Sequence, residues 1–385
     1  VTCRRLRRSG IKGLDPRAAD LAFRDVVPFH LFHRQSDKNR DCQQGQSNFM
    51  SHTHGLSPSF TTTFQCALPP CNSQARDGTV SHMTDTKIST HDAEDDIRNA
   101  AILIWVNGKL KPRAEATVSV YDSGFMLGDG VWEGLRLYDG RWTFIDEHIA
   151  RLFDAAKAID LDIGMTPTQV IAAIEDTRAA NGFTTDAHAR LMVTRGVKRL
   201  PFQHPRLSTQ GPTMVIIMEH SRPKIPRPVT LATVPHIRGL PMTQDPKLNS
   251  HSKLNCILAC IAAEKAGADE ALMLDIHGFV NTTNACNFFI VRKGAVWTST
   301  GDYCMNGITR QKVIDLCRAN AIPVFEKNFS LVEAYGADEA FLTGTFGAQT
   351  PVSEIDGRQI GDGVQGPFTT RIQDLYKALI QHETT

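Results

Sequence analysis

Residues 253–299 read KLNCILACIAAEKAGADEALMLDIHGFVNTTNACNFFIVRKGAVWTS. The first part, KLNCILACIAAEKAGA, predicts a helix, and the two short apolar runs EALMLD and FFIVRKGAVWTS predict strands. One helix followed by successive strands differs from the strict strand–helix alternation of a doubly wound sheet. This order favours an α+β fold with mixed sheets.

The segments on either side continue the mixed order. The stretch VTLATVPHI predicts a strand before the helix. Beyond residue 299, GITRQKVIDLCRANAI predicts a helix, EAFLTGTFGAQTPVSEI more strand, and PFTTRIQDLYKALIQ a C-terminal helix.

The stretch before residue 220 has its own hairpin and helices. Alternating apolar residues flank the turn-forming NGK in AAILIWVNGKLKPRAEATVSVYD, which predicts a hairpin. A second helix signal has Thr166 as N-cap, Pro167 at the first turn and Gly182 as the stop. Strands are predicted at ARLMVTRGV and TMVIIMEH. The helix predicted at DEHIARLFDAAKAIDL places four apolar residues on one face: Ile149, Leu152, Phe153 and Ala156.

Composition divides the chain into four parts. Residues 1–98 carry no glutamate before Glu94 and no sustained hydrophobic periodicity, so we interpret them as a disordered or spurious N-terminal extension. A true start near Met83 fits the same composition. Residues 99–220 are predicted as a small α/β domain, 221–227 as a proline-rich linker, and 228–385 as a large domain.

Charge and cysteine content exclude several classes of protein. Lys plus Arg (42) and Asp plus Glu (41) nearly cancel, so the basic footprint of a nucleic-acid binder is missing. No run of about 18 apolar residues suggests a membrane span. The nine cysteines form no CxxC pair, and those in the second half are predicted to be buried free thiols of a reducing compartment. We therefore expect no metal and a cytoplasmic protein, although the Arg-rich first residues leave organellar targeting open.

Six motifs occur in a fixed order: YDSGFMLGDGVWEGLRLYDG, DEHIARL, GADEALMLDIHGFV, NFFIV, GITRQKVIDL and TGTFGAQTPVSEIDG. Together they resemble the class IV aminotransferases, pyridoxal-phosphate enzymes of fold type IV. The resemblance covers about residues 101–380. It implies a two-domain α+β fold and transfer of an amino group between an amino acid, branched-chain or D-type, and a 2-oxo acid. It also implies pyridoxal 5′-phosphate as cofactor and a homodimer whose active sites take loops from the neighbour.

The resemblance assigns a phosphate site to residues that are present. In GITR, Ile308 and Thr309 stand where a glycine turn feeds a helix, so backbone N–H groups and the helix dipole face an anion. Thr345 resembles the family's second phosphate donor, and Arg151 matches the arginine directed at the phosphate. The structural alternatives are a plain N-cap for Thr309 and a solvated helical arginine for Arg151.

The lysine to which the cofactor links is not at its usual place. Counting back about 21 residues from Glu270, the family spacing, leads to Asn249. Lys247 would require a shift of two residues, or roughly 6–7 Å along a strand. Lys253 would lie one helical turn beyond Asn249 on the same face, provided that the helix already begins there. Lys253 is thus a candidate catalytic lysine, and His251 a candidate proton shuttle. Alternatively, Lys253 is an ordinary basic residue, and His251 is a surface or capping histidine.

The carboxylate expected beside the pyridine nitrogen is also replaced. In FVNTTNACNFFIV, Val280 and Asn287 fix the alignment and place Thr282 at the glutamate position. A threonine hydroxyl can hydrogen-bond a pyridine nitrogen but cannot stabilise pyridinium as a carboxylate does. Three functions stay open: a transaminase with a relocated lysine, a binder of the cofactor or another phosphate ester with different chemistry, and a silent relative.

Five further residues are weaker candidates. Arg195 or Arg199 could line a pocket for the substrate carboxylate, or both could lie in a solvated loop. Tyr121 and Trp132 flank GDG and could border the pocket or simply pack in the core. Glu133 resembles a family residue close to the substrate, with a supporting ion pair as the alternative.

Overall fold

The structure is a computed structural model that describes residues 87–225 and 227–384, and its described residues build two β-sheets. The first sheet has six antiparallel strands in the order β2-β1-β6-β5-β3-β4. Its strands are β1 (Leu103–Val106), β2 (Lys109–Pro112), β3 (Gly130–Tyr138), β4 (Arg141–Trp142), β5 (Ala187–Thr194) and β6 (Thr213–His220). The helices of this part are α1 (Ser123–Leu127), α2 (Ile145–Ala158) and α3 (Pro167–Asn181).

Local sequence signals explain these elements. Asn107 and Gly108 both have positive φ, +46° and +84°, as a two-residue turn between β1 and β2 requires. Thr166 and Gln169 form a capping box at the start of α3, and Gly182 ends the helix in the left-handed conformation. The predicted hairpin, N-cap and stop are confirmed.

The core of the first part lies between its sheet and helices α2 and α3. Of the four residues predicted on one face of α2, Ile149, Leu152 and Ala156 are buried and Phe153 is partly buried against them. On β5, Ala187, Ala189, Leu191 and Val193 face this core. The intervening residues, among them His188 and Arg190, therefore face the opposite side of the sheet.

The second sheet is mixed and has nine strands. Most pairs are antiparallel, whereas β7–β8, β7–β14 and β11–β12 are parallel. This confirms an α+β fold with mixed sheets. The strands are β7 (Val229–Thr233), β8 (Glu270–Leu274), β9 (Val280–Thr283), β10 (Asn287–Arg292), β11 (Ala295–Thr298), β12 (Val324–Glu326), β13 (Glu339–Gly344), β14 (Ala348–Ile355) and β15 (Arg358–Gln359). The helices are α4 (Pro241–Gln244), α5 (Leu254–Lys265), α6 (Ile308–Ala319), α7 (Leu331–Tyr335) and α8 (Pro367–Thr384).

The two sheets meet where residues 249–251 run along the start of β3. The Trp132 backbone N–H donates to the Asn249 carbonyl at 3.0 Å, and the His251 N–H donates to the Gly130 carbonyl at 2.9 Å. A bridge between Val131 and Ser250 lies between these bonds. This short extended segment fixes the backbone of Asn249 against the first sheet.

Residues 87–98 correct one prediction. They were assigned to the disordered extension, but Ile88 and Thr90 are buried. The backbone N–H and the hydroxyl of Thr90 both donate to Glu270 Oε1 at 2.7 Å. A buried carboxylate needs such donors, and this anchors the segment to β8. Residues 1–86 lie outside the described part, and the predicted domain boundaries stay predictions.

The described cysteines differ in burial. Cys286, Cys304 and Cys317 are buried free thiols as predicted, whereas Cys256 is half-buried and Cys260 is exposed, which corrects the prediction for these two. The cysteines before residue 87 lie outside the described residues. Within residues 87–225 and 227–384, no helix combines the length and apolarity needed to cross a membrane.

Candidate active site

A cavity of about 120 Å³ lies between the two sheets. Its walls come from β3, β5, the Asn249 segment, the start of α6 and the turn between β13 and β14. The lining residues are His91, Trp132, Gly134, Arg151, His188, Arg190, Asn249, Ala285, Asn287, Met305, Gly307, Ile308, Thr309, Thr343, Gly344, Thr345 and Phe346. The structure thus brings five predicted cofactor residues to one cavity: Arg151, Asn249, Ile308, Thr309 and Thr345.

One end of the cavity is the start of α6. Gly307 is the N-cap of this 12-residue helix, and no side chain caps it. The first N–H groups of a helix have no partner within the helix, and its dipole favours an anion there. A Cβ added at Gly307 would overlap Asn287 Oδ1, so glycine lets this side chain pack directly against the helix start. The uncapped helix start, together with the hydroxyls of Thr309 and Thr345, is a set of donors suited to a phosphate.

Arg151 reaches the same cavity from α2, held by a buried carboxylate. Its Nε and Nη2 each donate to Glu133 at 2.7 Å, and Nη1 donates to the Asn306 carbonyl at 3.3 Å. A guanidinium has five N–H donors, so two remain for a ligand. Glu133 therefore acts as the supporting ion pair that the sequence offered as its alternative role.

The Glu133 carboxylate has a second partner, His148, and is stabilised as the anion. His148 Nδ1 lies 2.7 Å from Glu133 Oε2. Burial alone would raise the pKa of Glu133, but the hydrogen bonds from Arg151 and His148 hold its pKa below the ordinary value. The buried charge is thus fixed in place and orients the arginine.

The opposite wall of the cavity is aromatic and cationic. The Arg190 guanidinium carbon lies 3.9 Å from the centre of the Trp132 ring, a cation–π distance. His188 meets Phe346 edge-on at 5.6 Å, and His91 stacks on it at 6.3 Å. Burial lowers the pKa of His188 to about 3, so this imidazole is neutral near pH 7.

Asn249 occupies the position to which the lysine count led. Its side chain is 2% exposed, and Nδ2 donates to the Trp132 carbonyl at 2.7 Å. Its Oδ1 is buried without a hydrogen-bond partner among the described residues, as is the hydroxyl of Thr343. Two buried polar atoms without partners in one cavity indicate a site for a polar ligand.

Lys253 and Lys247 do not line this cavity. Helix α5 begins at Leu254, after an extended segment, so Lys253 is not one helical turn from Asn249 on a shared face. Lys253 instead lines a separate depression with Arg238 and Cys256, and its Nζ lies 5.6 Å from the Trp132 ring centre. Burial lowers the pKa of Lys253 to about 8. Lys247 is exposed.

Two other predicted site residues also have local structural partners. His251 Nε2 lies 3.1 Å from the Val131 carbonyl, which can only accept, so this nitrogen carries the proton and is engaged. Thr282 Oγ1 donates to the Cys286 carbonyl at 2.6 Å within the tight β9–β10 turn. Neither lines the cavity among the described residues.

Arg195 and Arg199, which were predicted to bind the substrate carboxylate, lie outside the cavity lining, and so does Tyr121. Arg195 pairs with Asp129 at 2.8 Å and donates to the carbonyls of Ile159 and Asp160, a structural role. The predictions therefore missed Arg190, His188 and His91. In AHARLMVT, His188 and Arg190 alternate with apolar residues, which was a usable signal for these two.

Comparisons with known proteins identify the family. The profile of "Amino-transferase class IV" matches residues 130–355, and the chain belongs to this family. "Branched-chain-amino-acid aminotransferase-like protein 2" of Arabidopsis thaliana is 41% identical over 73% of this chain and 51% of its own length. The chain thus spans about half the length of that relative.

Two more comparisons cover nearly whole proteins. A "putative branched-chain-amino-acid aminotransferase" of Methanocaldococcus jannaschii is 39% identical over 71% of this chain and 95% of the relative. The crystal structure of the branched-chain amino acid aminotransferase of T.th. with pyridoxamine 5′-phosphate aligns with a TM-score of 0.68. It is 31% identical and covers 72% of this chain and 93% of that one. The fold is therefore that of the fold type IV aminotransferases.

Proposed function

We propose that this chain binds pyridoxal 5′-phosphate, or its amino form, in the cavity between the two sheets. The single observation that carries the proposal is the uncapped start of α6 facing a cavity that also holds Arg151 and the hydroxyls of Thr309 and Thr345. These donors fit the phosphate of the cofactor. The ring end fits less well, because neither a lysine nor a carboxylate lines the cavity among the described residues.

The reaction proposed is the transfer of an amino group between an amino acid, branched-chain or D-type, and a 2-oxo acid. When bound, the cofactor supplies an electron sink for the carbon that gains or loses a proton. The protein's own residues hold the phosphate and bind the substrate carboxylate. Arg190 is the cation placed for that carboxylate, since it forms no ion pair among the described residues and its stacking on Trp132 orients it.

Asn249 specifically favours a second candidate function, ligand binding without turnover. The side chain at this position has an amide where the family has an amine, and Lys253 lies outside the cavity lining. A positioned general base alone contributes about 10²–10⁴-fold to a reaction. We therefore expect slow amino transfer, and a chain that only binds the phosphate ester is the second candidate.

Titration of the purified full chain with pyridoxal 5′-phosphate tests the phosphate site. We expect calorimetric binding, competition by inorganic phosphate, and about tenfold or greater weakening in Thr309→Val. A hydrogen bond to a charged group is worth about 1.5–3 kcal/mol. Thr370→Val is the matched control, because Thr370 is an exposed threonine in the first turn of α8. Equal affinity of both variants would contradict the placement of the phosphate at Thr309. A separate assay of amino transfer from leucine or D-alanine to 2-oxoglutarate would distinguish a transaminase from a chain that only binds the phosphate ester.

We propose further that the chain forms a homodimer through α5. Leu254, Ile257, Leu258 and Ile261 repeat at helical spacing and are 67, 52, 40 and 41% exposed. On the other face the helix packs on the sheet through small residues, Ala259 and Ala263. A helix that buries alanines and exposes large aliphatic residues is typical of an interaction surface.

Ile257→Asp should convert the dimer into a monomer. A carboxylate buried in an apolar interface without a partner is costly, and central interface positions contribute about 2 kcal/mol or more. Light scattering coupled to size exclusion gives the mass directly. Val332→Asp is the control, because Val332 is 76% exposed on α7, away from this face. A monomeric parent protein, or a dimer that persists in Ile257→Asp, would contradict the proposed interface.

A further inference from the structure

The carbonyl oxygen of Asn249 is fixed as an acceptor without a partner. The Trp132 carbonyl can only accept, so the atom 2.7 Å from it must be the amide nitrogen of Asn249. The other amide atom is then Oδ1, which is buried and unpaired among the described residues. The Asn249 backbone is held by the Trp132 N–H as well, so the side chain is anchored at two points.

A buried acceptor discriminates between ligands that offer a hydrogen and ligands that offer only lone pairs. An amine at the ring substituent can donate to Asn249 Oδ1, whereas an aldehyde oxygen would face another acceptor. Sites built to hydrogen-bond a ligand group reject analogues that lack it, because the site's own polar atom stays unpaired. Where a lysine lines such a cavity, covalent linkage compensates the aldehyde, but none lines it among the described residues.

We propose that Asn249 makes this cavity a reversible, non-covalent receptor for the amino form of the cofactor, pyridoxamine 5′-phosphate, in preference to the aldehyde form. The proposal rests on the proposed function, since it assumes that the phosphate lies at Gly307, Ile308 and Thr309. It assigns to Asn249 a specificity role, with Oδ1 accepting a hydrogen bond from the ligand's amino group. The buried, unpaired hydroxyl of Thr343 in the same cavity is a second polar atom that such a ligand could satisfy.

Calorimetric titration of the full chain with three phosphate esters tests the preference. The ligands are pyridoxamine 5′-phosphate, pyridoxal 5′-phosphate and pyridoxine 5′-phosphate, whose hydroxyl can also donate. We expect the amine to bind at least about tenfold more tightly than the aldehyde, which corresponds to the usual worth of one hydrogen bond. The alcohol should fall between them.

Two variants at one position isolate the acceptor. Asn249→Leu and Asn249→Asp both remove the Nδ2 donor to Trp132, but only Asn249→Asp keeps an oxygen acceptor. We expect the preference for the amine to vanish in Asn249→Leu and to persist in Asn249→Asp, with melting temperatures checked for both. Equal or tighter binding of the aldehyde by the parent protein would overturn this inference alone. No binding of any of the three esters would overturn both the inference and the proposed function.

Discussion

Asn249→Lys should attach pyridoxal 5′-phosphate covalently to the chain. Asn249 lines the cavity, and backbone hydrogen bonds at Asn249 and His251 hold this segment against β3, so a lysine there starts from the same backbone position. The introduced amine supplies both a nucleophile and a proton carrier, and the latter alone is worth about 10²–10⁴-fold. We expect borohydride to fix the cofactor to the introduced lysine, and amino transfer to rise by about that factor. Peptide mapping by mass spectrometry and a coupled assay measure the two effects.

Three comparisons make the outcome decisive. Asn249→Met has similar reach without an amine and should show neither effect. In the parent protein we expect no borohydride-stable attachment in the cavity, because Lys253 lies outside its lining. Attachment to the parent that disappears in Lys253→Ala would show that the relocated-lysine alternative is correct. A lack of attachment in Asn249→Lys would instead show that the count from Glu270 does not lead to the cofactor.

The lowered pKa of Lys253 affects how borohydride labelling of the parent protein is interpreted. Its pKa, lowered by burial to about 8, leaves roughly a tenth of the amine unprotonated at pH 7. A lysine of ordinary pKa would be almost entirely protonated there. Lys253 can therefore react with free aldehydes at the surface, and mapping has to distinguish such labelling from a specific link.

Local signals made much of the fold predictable. The turn at Asn107 and Gly108 and the cap at Thr166 each depend on a few adjacent residues, whose conformational preferences act independently of the rest of the chain. The helix and strands after residue 253 also follow from local sequence patterns, and their order indicated mixed sheets. Burial of Thr90 could not be predicted, because it depends on Glu270, about 180 residues away along the chain.

The candidate site was predictable where a motif fixes it locally. Gly307, Ile308 and Thr309 form one turn, so their meeting at a helix start follows from the sequence. The role of Lys253 did not follow, because it depended on a helix that already begins near Asn249, whereas residues 249–251 pair with β3 and α5 begins at Leu254. For Thr282, a hydrogen bond within its own turn engages the hydroxyl that the sequence assigned to the pyridine nitrogen. A helix boundary and the partner of a side-chain hydroxyl both depend on contacts with residues that come together only in the folded chain.

Glu133→Gln should destabilise the protein by about 3 kcal/mol or more. The substitution keeps the size of the side chain but removes the charge that pairs with Arg151 and His148, and Glu133 itself is fully buried. Removing one partner of a buried ion pair typically costs about 3–5 kcal/mol, because the other charge stays buried. Urea unfolding at neutral pH measures the free energy of unfolding. A loss below about 1 kcal/mol would contradict the structural role assigned to this carboxylate.

The same substitution at Glu147 is the matched control, and pH provides an independent check. Glu147 lies on α2 and pairs with Lys312 at 2.7 Å, but its side chain is 46% exposed, so Glu147→Gln should cost less than about 1 kcal/mol. Because Arg151 and His148 hold the pKa of Glu133 in the folded protein below its unfolded value, the stabilisation by Glu133 is fully present above about pH 4.5. It is lost as the pH falls through the lower, folded pKa. The difference in unfolding free energy between the parent and Glu133→Gln should therefore be constant near neutral pH and shrink below about pH 4.5. A difference that instead grew on acidification would mean that Glu133 is protonated in the folded state, and that Arg151 is oriented by something other than this carboxylate.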